Sequence, residues 1–359
     1  MIVVQAKFGI GSGERVMDAQ DLIQTAAQLM GAGKGLLAMD ESTSTCDRRF
    51  ADVGIPQTEE ARRSYRELIV TTSGIGDTIN GAILCDETIR QQTKGGVPFV
   101  KVLAAAGVIP GIKVDAGAKD LAARPGEKVT EGLDSLRDRI QHYSVIGARS
   151  AKWRAVITIG DDVPSRGCID ANAHALARYA ALCQEARIVP IVEPEVLMDG
   201  AHTLERCREV TAETLRCVFN HLSMQNVMLE GMILKPNMIL PGQTCVSQAS
   251  VNEIAAVTLK CFLEVVPAAV PGIAFLSGGQ SAELATARLN AINLLVKSSV
   301  SRVPWPLVFS FARAIQQTAL EIWQGKENRV AAAQEALMHR LRCNTAALQG
   351  QYSAAMEQT

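Results

Sequence analysis

Eight short apolar runs, separated by longer stretches with helical spacing, limit what this chain can fold into more than any other feature. They are GLLAM at 35–39, GAILC at 81–85, IPGIKV at 109–114, AKWRAVI at 151–157, IVPIV at 188–192, GMIL at 231–234, IAFL at 273–276 and PLVF at 306–309. Runs of this length between helical segments are the pattern of βα units feeding a parallel sheet. Eight such units close on themselves, so the expected fold is α/β, a single (β/α)8 TIM barrel spanning residues 1–359 as one domain. Between the fifth and sixth runs, Leu204, Cys207, Thr211, Leu215, Val218 and Leu222 recur at steps of three and four, which predicts a helix with one face on the barrel. Another helix is predicted from Thr58, a hydroxyl cap followed by Glu59 and Glu60 at the positive end of the helix dipole. Length beyond a minimal barrel falls in an N-terminal helical extension over 16–32 and a C-terminal tail over 330–359, helical at first and then fraying.

Polar residues gather where the runs end. The runs give way to Asp40 and Glu41, to Asp86, to Lys113 and Asp115, to Lys152 and Arg154, and to Glu193 and Glu195. The last three lead to Lys235, to Ser277, and to Ser310 with Arg313. In barrels of this kind the C-terminal rim of the strands collects catalytic groups. Lys152 and Arg154, like Glu193 and Glu195, lie two apart and so share a strand face. Any one of these charges alone is ordinary surface decoration. Lysines, arginines and carboxylates supplied in register by successive strand ends form a cluster of the kind enriched in active sites.

Lys235 ends a run that reads as a buried strand, with Pro236 behind it. Burial disfavours an ammonium, so a lysine there is placed to act as a neutral nucleophile near pH 7 and form a Schiff base. The loop SGGQS at 277–281 lies between a strand and a helix, where glycines free backbone N–H groups to face an anion. With Ser310 and Arg313 it reads as a phosphate cradle on the loops after strands seven and eight.

Composition removes other classes. Hydrophobic residues make up 48% and charged residues 20% of the chain, with a formal net charge of -1, which gives no basic footprint for nucleic acid. No apolar stretch reaches the roughly 20 residues of a membrane span, so no membrane partner is expected. The N-terminus carries neither signal nor transit pattern, and nine scattered cysteines without CxxC pairs suit a reducing compartment, so the expected location is cytoplasmic. The five histidines lack HxxxH spacing, which opposes a catalytic zinc, and each reads as structural or surface. GAGKG at 31–35 imitates a phosphate loop, but no Ser or Thr follows Lys34 and position 28 is Gln, so it reads as a turn.

Seven ordered motifs together resemble the class I, Schiff-base fructose-1,6-bisphosphate aldolases. They are LLAMDES at 36–42, GIKVD at 111–115, AKWR at 151–154, VEPE at 192–195, LKPNM at 234–238, LSGGQS at 276–281 and FSFARAIQ at 309–316, within residues 17–330. The wording of LLAMDES and SFARA is nearer the plant and photosynthetic lineage than the animal one. The resemblance implies reversible cleavage of fructose 1,6-bisphosphate to dihydroxyacetone phosphate and glyceraldehyde 3-phosphate, with sedoheptulose 1,7-bisphosphate open to the same chemistry. It implies no metal and no cofactor, only a covalent Schiff base at Lys235, and a homotetramer. In this family pattern Glu193 is the acid/base of carbinolamine dehydration, Lys152 tunes Lys235, Asp40 handles the C4 hydroxyl proton and Glu195 orients them. Ser277, Gly278, Ser310 and Arg313 are implied at one phosphate, and Ser42, Thr45, Arg49, Lys113 and Arg154 toward the other.

Two positions depart from the family pattern. Ala312 stands where animal members carry glycine, and the chain ends in MEQT rather than in a tyrosine that assists proton transfer at C3. Its last tyrosine is Tyr352. The alternatives, a silent sugar-phosphate-binding barrel and a metal-dependent aldolase, are opposed by the intact Lys235, Glu193 and Asp40 and by the histidine pattern.

Overall fold

The computed structural model describes residues 19–31, 33–299 and 302–358. The start of the expected N-terminal extension, 16–18, and the N-terminus expected to carry no signal or transit pattern therefore lie outside the described residues. Among the described residues ten strands form: β1 (Gly35–Met39), β2 (Ile79–Leu84), β3 (Ile109–Lys113), β4 (Ala118–Asp120), β5 (Lys128–Thr130), β6 (Ser150–Ile157), β7 (Val189–Val196), β8 (Ile233–Leu234), β9 (Ile273–Phe275) and β10 (Leu307–Phe311). Eight of them, all in parallel register with their neighbours, close a barrel in the order β1-β10-β9-β8-β7-β6-β3-β2. Each overlaps one of the eight apolar runs. The short antiparallel pair β4-β5 was not anticipated; its three-residue strands are too brief to show a period.

Strand parity decides what the lumen contains. Leu36, Ile83, Val189, Ile191, Ile233, Ala274 and Val308 form one small buried cluster, whereas their neighbours Leu37, Val192, Leu234, Phe275 and Phe309 belong to the large layer under the helices. Because side chains alternate faces along a strand, continuing the first set by twos reaches Asp40, Glu193, Lys235 and Ser310. The lumen is thus apolar at the N-terminal ends of the strands and charged at the C-terminal ends.

The helix Ala19–Met30 plugs the apolar end, adding Ala26, Leu29 and Met30 to the same cluster. Glycines make room for it. A Cβ on Gly272 would stand 2.3 Å from Met30 Cε, and one on Gly81 would stand 2.6 Å from Leu29 Cδ2.

Helices form where spacing and caps predict them. Thr58 caps the helix Glu59–Val70, its hydroxyl accepting from the Ala61 N–H at 3.2 Å. The helix Leu204–Met224 buries Cys207, Thr211, Leu215, Val218 and Leu222 on one face. At the other end of the chain the helix Val330–Leu348 buries Ala333, Leu337, Leu341 and Ala347, and a 3-10 turn follows at Ala354–Gln358. Among the described residues no helix is long and apolar enough to cross a membrane.

Gly272→Ala is expected to lower unfolding stability by about 2 kcal/mol through overpacking against Met30, read as a fall in the urea midpoint. Turnover should be unchanged, since the charged end of the lumen lies at the opposite mouth.

Candidate active site

Four charged side chains from four strands meet in the charged end of the lumen. Lys152 Nζ, on β6, lies 2.6 Å from Asp40 Oδ2 at the end of β1 and 3.0 Å from Glu193 Oε2 on β7. The second contact is an ion pair rather than a directed hydrogen bond, because Oε2 meets no donor at hydrogen-bonding angle. The other oxygen of Glu193, Oε1, lies 2.8 Å from Lys235 Nζ. Lys235 is 3% exposed, and Lys152, Glu193 and Asp40 are also buried.

β7 runs past Val192 to Val196, so Glu193 and Glu195 belong to the strand rather than to the loop after it. A carboxylate is a poor strand residue in water, but here both face cations across the lumen. β8 is the reverse case and stops at Leu234, because Pro236 cannot donate to a ladder. Lys235 still keeps one link: its N–H donates to the Val192 carbonyl at 2.8 Å.

Electrostatics fix three of the four charges. Burial works against the Asp40 carboxylate, but Lys152 and then Lys235 outweigh it and hold Asp40 down to about 2, from 3.8. Glu193 is likewise opposed by burial and held below its ordinary 4.5 by Lys152, Lys235 and Arg154. Burial acts to discharge Lys152, yet the paired Asp40 and Glu193 raise it well above the usual range for an ammonium. At neutral pH the resting site therefore holds two carboxylates around a permanent cation.

A second set of ion pairs borders the first. Lys113 pairs with Asp115, which also accepts from the Gly117 N–H at 3.1 Å and the Arg154 N–H at 3.2 Å. Arg154 pairs through Nε with Glu195.

Toward the solvent side, Gly278 and Gly279 both adopt the left-handed region, with φ of 51° and 86°. A Cβ on Gly279 would lie 3.6 Å from Arg313 Nη2, which brings the Arg313 guanidinium to this loop. Ser277 is buried beside it, and Ser310 is buried with an Oγ that has no hydrogen-bond partner. The helix Arg313–Trp323 starts here without a side-chain cap, so its first N–H groups are left for an anion. Ala312, where animal members carry glycine, has φ -108° and ψ -89° and so lies outside the left-handed region that calls for glycine.

The residues expected at the second phosphate are less uniform. Ser42 caps the helix Thr43–Asp52, and its hydroxyl donates to Thr45 Oγ1 at 3.0 Å. Arg49 is buried, with Nη1 on Glu41 and Nη2 on Gln317 at 3.2 Å. Arg48, which motif reading passed over, is exposed three residues beyond Thr45 on the same helix.

Gln316, Arg66 and Asn237 were also missed, although Gln316 and Asn237 fix backbone at the site and Arg66 fixes the side chains of Gln316 and Glu41. Gln316 Nε2 donates to the Ala38 carbonyl at 2.6 Å, and Arg66 bridges Gln316 Oε1 at 3.4 Å and Glu41 Oε2 at 2.8 Å. Asn237 accepts from the Val196 N–H at 2.9 Å. Gln316 and Asn237 stand inside the quoted motifs, which was the one available signal; Arg66 lies on a helix where nothing sets it apart from its charged neighbours. Tyr352, the last tyrosine, packs near Asn290 on the outer helix layer and donates its hydroxyl to Glu357 Oε1 at 2.7 Å. Lys34 donates to the Gly76 carbonyl at 2.6 Å, as suits a turn rather than a phosphate loop.

A buried amine in contact with a carboxylate, beside a permanent cation and under an anion cradle, suits imine chemistry on a phosphorylated carbonyl compound. Comparison with known proteins agrees. Residues 21–359 match the family described as fructose-bisphosphate aldolase class-I, glycolytic. A probable fructose-bisphosphate aldolase class 1 of Xanthomonas campestris pv. campestris is 55% identical over 94% of this chain and 99% of its own length. The cytosolic fructose-bisphosphate aldolase 6 of Arabidopsis thaliana is 48% identical over 93% of this chain and 92% of its own. Among solved structures, the fructose-bisphosphate aldolase of Plasmodium falciparum, crystallised with TRAP and a small-molecule inhibitor, superposes with a TM-score of 0.91 at 45% identity. That match covers 94% of this chain and 96% of the other.

Asp40 has its pKa depressed in the folded state, so its stabilising contribution is full above about 4 and is lost as pH falls toward 2. Asp40→Asn is expected to lower stability by about 2 kcal/mol at pH 7, with the gap from the parent narrowing below pH 4 in urea titrations.

Proposed function

The chain belongs to the class-I fructose-bisphosphate aldolase family, whose members cleave fructose 1,6-bisphosphate reversibly to dihydroxyacetone phosphate and glyceraldehyde 3-phosphate, and we propose that Lys235 is its imine-forming residue. The observation that carries this is the buried Lys235 Nζ at 2.8 Å from Glu193 Oε1, with Lys152 shared between Glu193 and Asp40.

In this reading the Lys235 amine adds to the substrate ketone, and Glu193 Oε1 takes the proton that the new C–N bond forces off nitrogen. The alkoxide oxygen takes a proton from solvent to give the carbinolamine, and Glu193 then returns the nitrogen's proton to that hydroxyl, which leaves as water and yields the protonated imine. Lys152 stays cationic throughout and keeps Glu193 and Asp40 ionised between steps. Asp40 receives the C4 hydroxyl proton as the C3–C4 bond breaks, its electron pair being drawn into the imine to give an enamine. Glu195, through Arg154, holds the wall of the site. Ser277, Gly278, Ser310 and Arg313 take the phosphate next to the ketone: the orphaned Ser310 hydroxyl and the uncapped helix both want an anion. The other phosphate faces Ser42, Thr45, Arg48, Lys113 and Arg154, while the buried Arg49 orders Glu41 beneath them. Tyr352 is occupied by Glu357, so the C3 proton comes from solvent or from a group brought in on closure.

Nothing in this cycle calls on a metal ion, and the seven-carbon bisphosphate fits the same chemistry. A homotetramer and a cytoplasmic location complete the reading; relatives named as cytosolic support the latter.

Borohydride added with dihydroxyacetone phosphate should fix one substrate adduct per chain on Lys235, located by peptide mass spectrometry. An adduct on another lysine would overturn the assignment, and Lys235→Met should give none. Glu193→Gln should slow imine trapping by about 100-fold or more while leaving the adduct on the same lysine. Full cleavage activity should survive exhaustive chelation.

A further inference from the structure

Among the described residues the catalytic reading leaves two sets of ligating side chains unused, one of them between two helices on the outside of the barrel. The helix Arg166–Glu185 follows β6, and the helix Leu204–Met224 follows β7. Asp170 and His174 lie four apart on the first helix, and Cys217 and His221 lie four apart on the second, so each pair shares a helix face. The two faces meet. His221 Nε2 lies 2.9 Å from Asp170 Oδ1, and Cys217 Sγ lies 4.0 Å from the same oxygen. The ligand atoms of Asp170, Cys217 and His221 all fall within 4.8 Å of one another. Around a tetrahedral ion with bonds of about 2.0–2.3 Å, such atoms stand roughly 3–4 Å apart, so a small inward shift completes the set.

We propose that Asp170, Cys217 and His221, with His174 as fourth ligand, form a zinc-class divalent-metal site that fastens these two helices together outside the catalytic centre. His174 qualifies because its ring centre is 5.8 Å from that of His221. Two imidazoles on one tetrahedral ion have ring centres roughly 5 Å apart, so an exposed His174 reaches the position by turning its side chain. Charge balances as well. A thiolate and a carboxylate supply two negative charges to a dication, and binding releases the Cys217 thiol proton to solvent. His221 is buried between the helices, with Nε2 facing Asp170.

A second group, His339, Cys343 and Glu357, also has its ligand atoms within 4.8 Å. There Glu357 is already paired with Arg340 and accepts from Tyr352, so a cation would have to displace a resident guanidinium.

The test uses the full chain, stripped of metal, titrated with Co2+ and then with Zn2+ as competitor. The expected result is one cobalt per chain with a thiolate-to-metal charge-transfer band, displaced by zinc. The band should vanish in Cys217→Ser, and affinity should fall at least tenfold in His174→Ala. Zinc at about a hundred times its Kd should raise Tm by about 3 °C in the parent and not in Cys217→Ser. Absence of the band from the parent, or its persistence in Cys217→Ser with loss in Cys343→Ser, would overturn the proposal.

Discussion

The structure depends on one ammonium kept out of water. Lys152 lies inside the barrel within ion-pair distance of two carboxylates, and at an effective dielectric near 20 each such pair is worth about 5 kcal/mol. That attraction offsets the several kcal/mol each buried ion loses on leaving water. Remove the central cation and two like charges face each other in a low-dielectric lumen. The four charged groups come from β1, β6, β7 and the end of β8, so their spacing is set by barrel closure and not by any local segment. A barrel is a suitable frame for this because its strands are fixed on both edges and cannot slide singly.

Much of this was legible in the chain because the pattern was redundant. Each barrel strand repeats the same apolar-then-polar change, so a doubtful run such as GMIL is supported by seven others. Strand parity alone sends Asp40, Glu193 and Lys235 to the same face as Ile233 and Leu36. Boundaries were less readable. The fifth run ends at Val192 when read by hydropathy, because a strand continuing through Glu193 and Glu195 makes sense only once their partners across the lumen are known.

Arg49 shows the same limit from the other side. A cation two turns into a helix beside a phosphate motif reads as a ligand contact, yet Glu41 and Gln317 draw its guanidinium into the protein, and the adjacent Arg48 is left facing solvent. Only a three-dimensional partner decides which of two consecutive arginines turns inward. Arg66 was invisible for a similar reason, since its carboxylate partner lies 25 positions away.

The hydrogen bond from Gln316 to the carbonyl of Ala38 joins positions 278 apart. It sits beside the seam where β10 pairs with β1, and both Asp40 and the anion cradle flank that seam. A nascent chain thus carries Asp40, Lys152, Glu193 and Lys235 before β10 exists to close the lumen around them. The reactive amine is made after Asp40 and before β10, and the seam that closes the lumen around them forms only once the last barrel strand docks.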